Sequence, residues 1–246
     1  MRYKYLIGLP FVVALGLLEW HSAAILTDEF GRDQFAVLAA SMMMSLVRAA
    51  AMAALLFLAC FLLVLAVEAR PNIAITTAVQ VSIDALDSVP IYVWVLAGIS
   101  AMPKSPGLVT TAIFVIAGLP ILYGTVQGVV RQISHAAYCE AAVSLGSPRW
   151  RIVTRHILPN AMPRLIPTMV HVFGAALAIY GGVGVFGFVN RQELDLGVLL
   201  LRGREQAGFS MIPLLLAICA YVGIFVALYA TLQCLAGRNS SRIERT

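Results

Sequence analysis

Charged positions are sparse along this chain and gather into a few breaks between long apolar runs. The runs extend from about Tyr5 to Glu19, within Phe35 to Val67, from Leu86 to Met102, from Leu108 to Val130, from Leu165 to Phe188 and from Phe209 to Leu235. About 20 helical residues cross the roughly 30 Å hydrocarbon core of a bilayer, and most of the runs approach or exceed that length. In lipid every backbone N–H and C=O must be bonded internally, so such runs predict helices. A barrel would need roughly 10-residue stretches of alternating polarity, and these runs do not alternate. The pattern predicts an all-α, polytopic membrane protein with about six transmembrane helices, forming a single transmembrane domain over residues 1–246.

The interruptions refine this. Pro10 should kink the first run. That run follows Arg2 and Lys4, as a signal peptide would, but no small-x-small site precedes a soluble domain, and an uncleaved first span is expected. Phe35 to Val67 is too long for one straight crossing, so Phe35 to Met44 either lies along the surface or extends the second span. The third span is the most broken. Gln80, Asp84, Asp87 and Pro90 interrupt the apolar stretch from Ile73, so a surface or partly inserted helix should precede a crossing over Leu86 to Met102. Met102 to Gly107, with two prolines and a glycine, reads as a turn, and Pro120 falls inside the fourth span.

Composition agrees: 61% of residues are hydrophobic and 12% charged, against roughly 25% charged in a soluble domain. The net charge of +5 is dispersed over loops, which fits anchoring to an inner membrane face and a lipid partner, not nucleic acid binding. Basic residues near span ends set orientation. A cytoplasmic N-terminus places Arg2, Lys4, Arg70, Arg131, Arg149, Arg151, Arg155, Arg164, Arg238, Arg242 and Arg245 inside. The smaller set outside is Arg32, Lys104, Arg191, Arg202 and Arg204. Both ends are therefore expected in the cytoplasm. The four cysteines have no CxxC spacing and suggest neither a metal site nor a disulfide scaffold.

The longest charged loop, about residues 131–164, is then cytoplasmic. Its centre reads AAYCEAAVSLGSPRWRIVTRHILP from Ala136 to Pro159. Tyr138, Ala142 and Leu145 recur at helical spacing, Gly146 breaks the helix, and a second short helix is expected from about Trp150 to Ile157, ended by Pro159. Read alone, this is either an inert surface loop or a compact docking knob. Glu140-Ala141-Ala142, Gly146 and His156-Ile157-Leu158-Pro159, together with Ala136 and Tyr138, resemble the EAA loop of ATP-binding-cassette importer permeases. Thr27-Asp28-Glu29-Phe30-Gly31-Arg32-Asp33 is similar to the TDxxGRD segment of the dipeptide, oligopeptide and nickel branch. Asp84 with Pro90, and Gly182, Gly184 and Gly187, are weaker resemblances to that branch.

The resemblance implies a type I importer permease fold and a bacterial inner-membrane location. It implies a second homologous permease subunit, two cytoplasmic ATPase subunits and an extracytoplasmic substrate-binding protein. Cargo would be di- or oligopeptides, with nickel or a metal–chelator complex as the alternative. The chain has no GKS or GKT phosphate loop, so ATP and Mg would be used by the partners and no cofactor by this chain. Tyr138, Glu140, Ala141, Ala142, Leu145, Gly146, Arg149, His156 and Pro159 are the expected ATPase-coupling residues. Arg149, Arg151 and Arg155 would meet either lipid headgroups or the ATPase.

Thr27, Asp28, Gly31, Arg32 and Asp33 would form an outer cluster, either a salt-bridged cap or a contact with a partner. Arg48, Asp84 and Asp87 are costly in lipid unless paired. Arg48 either faces a pathway or pairs with an acidic residue of another span or subunit; Asp84 and Asp87 are expected near Arg70 or Arg131. An ion-coupled carrier using these charges is the rival class. The chain departs from the branch after the fifth span. The usual glutamate and proline-rich segment are missing, and a charged connector with Arg191, Glu193 and Asp195 stands in their place.

Overall fold

The computed structural model describes residues 33–69, 72–207 and 212–243, and every element among them is helical. The first expected span and Thr27, Asp28, Gly31 and Arg32 lie outside the described residues. Among the described residues three helices are long and apolar enough to cross a membrane, and up to five crossings result if each of two bent helix pairs counts as one. The chain is thus an all-α, multi-pass membrane protein.

Helix α1, Gln34–Ala69, is continuous. Its residues from Phe35 to Met44 extend the helix and do not turn away from it. Within α1 the uncharged run Ala49 to Val67 measures about 28 Å at 1.5 Å per residue, the thickness of a hydrocarbon core. Arg48 and Glu68 bracket that run.

The expected crossing over Leu86 to Met102 is corrected by the structure. Only Leu86 and Asp87 of it belong to α2, Ile73–Asp87, the helix expected before the crossing; a break at residues 88–90 separates them from α3, Ile91–Ala101, which meets α2 at 81°. Pro90 is the cause: it holds the residue before it out of the helical region and stands at the N-cap of α3. Asn72 starts α2 by accepting the Ala74 N–H on its side-chain oxygen at 2.9 Å. Helices α4, Pro106–Ala117, and α5, Leu119–Ser134, bend by 42° across Gly118, with Pro120 in the first turn of α5.

Past α5 come α6, Ala137–Ser144, and α7, Arg149–Ile152. A π turn over Val153–Ile157 leads directly into α8, Leu158–Val185. Pro159 therefore does not end the second loop helix, as the sequence suggests it should. The wider π turn lets the Leu158 N–H reach the Val153 carbonyl, and the Asn160 side chain donates to the His156 carbonyl at 2.7 Å. The backbone continues because these bonds accommodate the proline. Helices α9, Leu196–Gln206, and α10, Ile212–Ile243, complete the chain.

The residues cluster into two compact units. Residues 51–176 form one. Its core holds Leu56, Phe114, Leu122, Tyr123, Val126, Ile133 and Leu165, all fully buried, and there α3 packs on α4 and α2 on α5. The described residues up to 50 and from 177 onward form the other. There α9 packs on α10, around Leu177, Leu196, Val198 and Ala217. Leu55, Leu58 and Leu62 on α1, and Val222, Val226 and Tyr229 on α10, stay exposed. Exposed stripes of this kind are what lipid or a partner helix covers.

Candidate functional site

The loop from α5 to α8 is built around a tight turn. Helix α6 buries Cys139 and Ala142, three residues apart, and exposes Glu140 and Ala141. Tyr138 and Leu145, at helical spacing from the buried Ala142, are 45% and 86% exposed, Leu145 at the C-cap just past the helix. Gly146 ends α6 with φ +73°, a left-handed conformation that L side chains disfavour. Its N–H donates to the Val143 carbonyl at 2.9 Å, and the Ser147 N–H to the Ala142 carbonyl at 3.1 Å. This pair of bonds is the Schellman arrangement, which satisfies the last carbonyls of a helix. A Cβ at Gly146 would meet nothing within 4 Å. The turn therefore requires the glycine for its backbone, while the space beside it is open.

The two halves of the loop touch through Tyr138 and His156, whose rings lie 6.0 Å apart at 40°. His156 is a packing residue in this arrangement, on the π turn. Arg149 opens α7 and Pro159 is exposed at the start of α8. Burial raises the Cys139 thiol above its usual range. Two contacts at the root of the loop were missed in the sequence. Arg131 Nε lies 2.7 Å from Glu68 Oε1, and Arg164 donates to Gln132 Oε1 at 2.8 Å. Adjacent residues of α5 thus hold the end of α1 and the start of α8. Asp84 and Asp87 are exposed, and Asp84 accepts from Gln80 at 2.9 Å. Arg131, one of their expected neighbours, is engaged by Glu68; Arg70, the other, lies outside the described residues.

A second polar group surrounds Arg48. Its guanidinium reaches Glu193 Oε2 at 3.1 Å, Asp195 Oδ2 at 3.6 Å and the Leu194 carbonyl at 3.5 Å. The guanidinium carbon lies 5.2 Å from the centre of the Tyr180 ring, within cation–π range. Asp195 is fully buried, and it caps α9 by accepting the Gly197 N–H at 2.7 Å. Burial pushes the Asp195 carboxyl above the usual carboxylate range; bonds from Ser45, Gly197, Val198 and the charge of Arg48 oppose the shift without cancelling it. Asp33, of the expected outer cluster, accepts the Phe35 N–H at 2.8 Å where α1 begins.

The family described as "Binding-protein-dependent transport system inner membrane component" matches residues 62–245, well over half of the chain. The chain belongs to this family. It is a permease component, and its role in the family is not catalytic. Among the described residues, no His, Cys, Asp and Glu side chains group as metal ligands would. This permease is 26% identical over 123 residues to the probable D,D-dipeptide transport system permease protein DdpC of Escherichia coli (strain K12), covering 50% of this chain and 41% of that one. It is 30% identical over 104 residues to the probable peptide ABC transporter permease protein y4tQ of Sinorhizobium fredii (strain NBRC 101917 / NGR234), covering 42% and 35%. It is 33% identical over 108 residues to the oligopeptide transport system permease protein OppC of Bacillus subtilis (strain 168), again covering 42% and 35%. The aligned stretch is thus less than half the length of each of these relatives.

Proposed function

We propose that this permease is one membrane half of an ATP-driven importer for di- or oligopeptides, coupled through its α6–α7 loop to separate ATPase subunits. Support for the coupling role comes chiefly from the tip of that loop. Val143 and Leu145 expose apolar side chains, 62% and 86%, beside the turn held by Gly146, and Tyr138 does so, 45%, in the first turn of α6. Exposed apolar side chains on a segment outside the long spanning helices accord with a contact surface, and a helix with a fixed C-terminal turn transmits displacement better than a floppy tether. Glu140 stands exposed beside it, available to a basic partner group.

Peptide cargo follows from the printed names of the relatives. Partners would be a second homologous permease, two ATPase subunits that use ATP and Mg, and an extracytoplasmic binding protein. Six spans with both ends in the cytoplasm, in the bacterial inner membrane, accord with the basic residues around the loop and with three to five crossings among the described residues.

The test is association. Leu145→Asp and Val143→Asp should still insert, but should no longer retain the ATPase subunits when the transporter is purified through the permease. Full retention in both variants would remove the coupling role. Uptake of labelled tri- to pentapeptides that depends on this permease tests the cargo separately.

A further inference from the structure

The polar group around Arg48 joins two kinds of bond in one place. One kind is buried. Ser45 Oγ donates to Asp195 Oδ2 at 2.8 Å and accepts the Leu196 N–H at 3.0 Å. Asp195 Oδ1 takes the Gly197 N–H. Ser45 and Asp195 are 3% and 0% exposed. The backbone of α9 is pressed close to α8 at the same point: a Cβ on Gly184 would lie 2.9 Å from both Asp195 Oδ1 and the Val198 nitrogen, and one on Gly197 would run into the Gly181 carbonyl. Each partner is fixed by at least two others, and water has no access to replace a broken bond.

The other kind is half exposed. The Glu193 side chain is 38% and that of Arg48 25% accessible, and among the described residues Glu193 is held by one ion pair at 3.1 Å. Its neighbours sit in a turn, with the Glu193 N–H on the Asn190 carbonyl at 2.9 Å and the Gln192 N–H on Asn190 Oδ1 at 3.0 Å. Arg48 meets both kinds of bond, because its two terminal nitrogens reach different carboxylates.

We propose that Ser45, Arg48, Glu193 and Asp195 form a clasp with a permanent limb and a releasable one. The permanent limb, Ser45 and Asp195, positions α9 on α1. The releasable limb, Arg48 and Glu193, straps down the connector around Gln192 and Glu193, between buried Val189 and Asp195 and next to the exposed Arg191–Glu205 pair, and this stretch can loosen while α9 stays in place. Arg48 remains neutralised by Asp195 and stacked on Tyr180 after Glu193 leaves, so release strands no unpaired charge. A connector able to move on a fixed helix is suited to a gate or a seat that opens in each cycle. The inference does not rest on the identity of the cargo.

Hydrogen exchange on the purified permease separates the limbs. Glu193→Gln should speed exchange of the Gln192 and Glu193-position amides by about two- to fivefold, the scale of a half-exposed ion pair, and leave the Leu196 and Gly197 amides unchanged. Ser45→Ala should speed Leu196 and Gly197 by about tenfold or more, the scale of a buried bond left unmade. Salt screens exposed pairs, the Arg191–Glu205 pair of the same connector among them, and spares buried ones, so raising ionic strength on an Arg191→Gln background should reproduce the Glu193→Gln pattern. Should Ser45→Ala fail to assemble, this titration reads the same amides. Acceleration of all four amides together by Glu193→Gln or by salt would overturn the two-limb clasp. So would no acceleration at Gln192 and position 193.

Discussion

Replacing Gly146 separates what the loop costs by itself from what it does in a complex. With φ at +73°, any L residue pays for the left-handed backbone, about 1–2 kcal/mol for an ordinary side chain and less for Asn. Nothing lies within 4 Å of a Cβ there, so size adds no further cost in the isolated permease. Gly146→Ala and Gly146→Leu should therefore loosen the turn equally. One to two kcal/mol shifts the open population by a factor of roughly 5–30. Exchange of the Gly146-position and Ser147 amides, which close the turn, reads that factor directly. Gly146→Asn should fall between these and the unsubstituted protein. In the assembled transporter the pattern should change: Leu should impair coupled ATP hydrolysis clearly more than Ala, because its bulk fills the open space where a partner seats. Equal impairment by Ala and Leu in the transporter would mean that nothing docks at this turn. A difference between them in the isolated permease would mean that the space is not open.

The Arg131–Glu68 pair is partly exposed, so a double-mutant cycle with Arg131→Ala and Glu68→Gln should give a coupling of about 1 kcal/mol or less in thermal unfolding; a much larger value would make the root of the loop a major stability element. Cys139 is buried and its thiol raised, so it should react with a maleimide far more slowly than a cysteine placed at the exposed Val143 position of the same helix; comparable rates would mean α6 does not bury this face. Asp195 titrates above its ordinary value of 3.8, so the folded state binds the proton more tightly. Its contribution to stability is greatest below the ordinary value and declines as pH rises through the folded value. Unfolding followed against pH should show that decline, and Asp195→Asn should flatten it; an unchanged slope would assign the pH dependence to other groups.

Much of this was legible in local sequence because the physics is local. Apolar runs need helices in lipid, and a glycine after an amphipathic octet needs a turn. Prolines were less legible. Pro90 separates two helices while Pro159 is absorbed, and the difference lies in the π turn and the Asn160 side chain, which no residue pattern announces. The partners of Arg48 lie about 145 residues away in sequence, so no spacing rule connects them. A signal did exist: a charge at the edge of an apolar run must be answered, and the 191–195 connector carries two carboxylates. Helical periodicity puts Tyr138, Ala142 and Leu145 on one stripe without saying what covers it, and in the structure only Ala142 of the three is buried. In a subunit, an apolar stripe can be meant for another chain.

The central claim is that the α6–α7 turn is the point of contact with a cytoplasmic ATPase. The most direct measurement places a single cysteine at Leu145 and applies a short crosslinker to membranes holding the whole transporter. The account predicts a covalent adduct with an ATPase subunit, and labelling by an impermeant maleimide only when the cytoplasmic side is opened. Labelling from the outer side, or the absence of any ATPase adduct in transporting membranes, would contradict it.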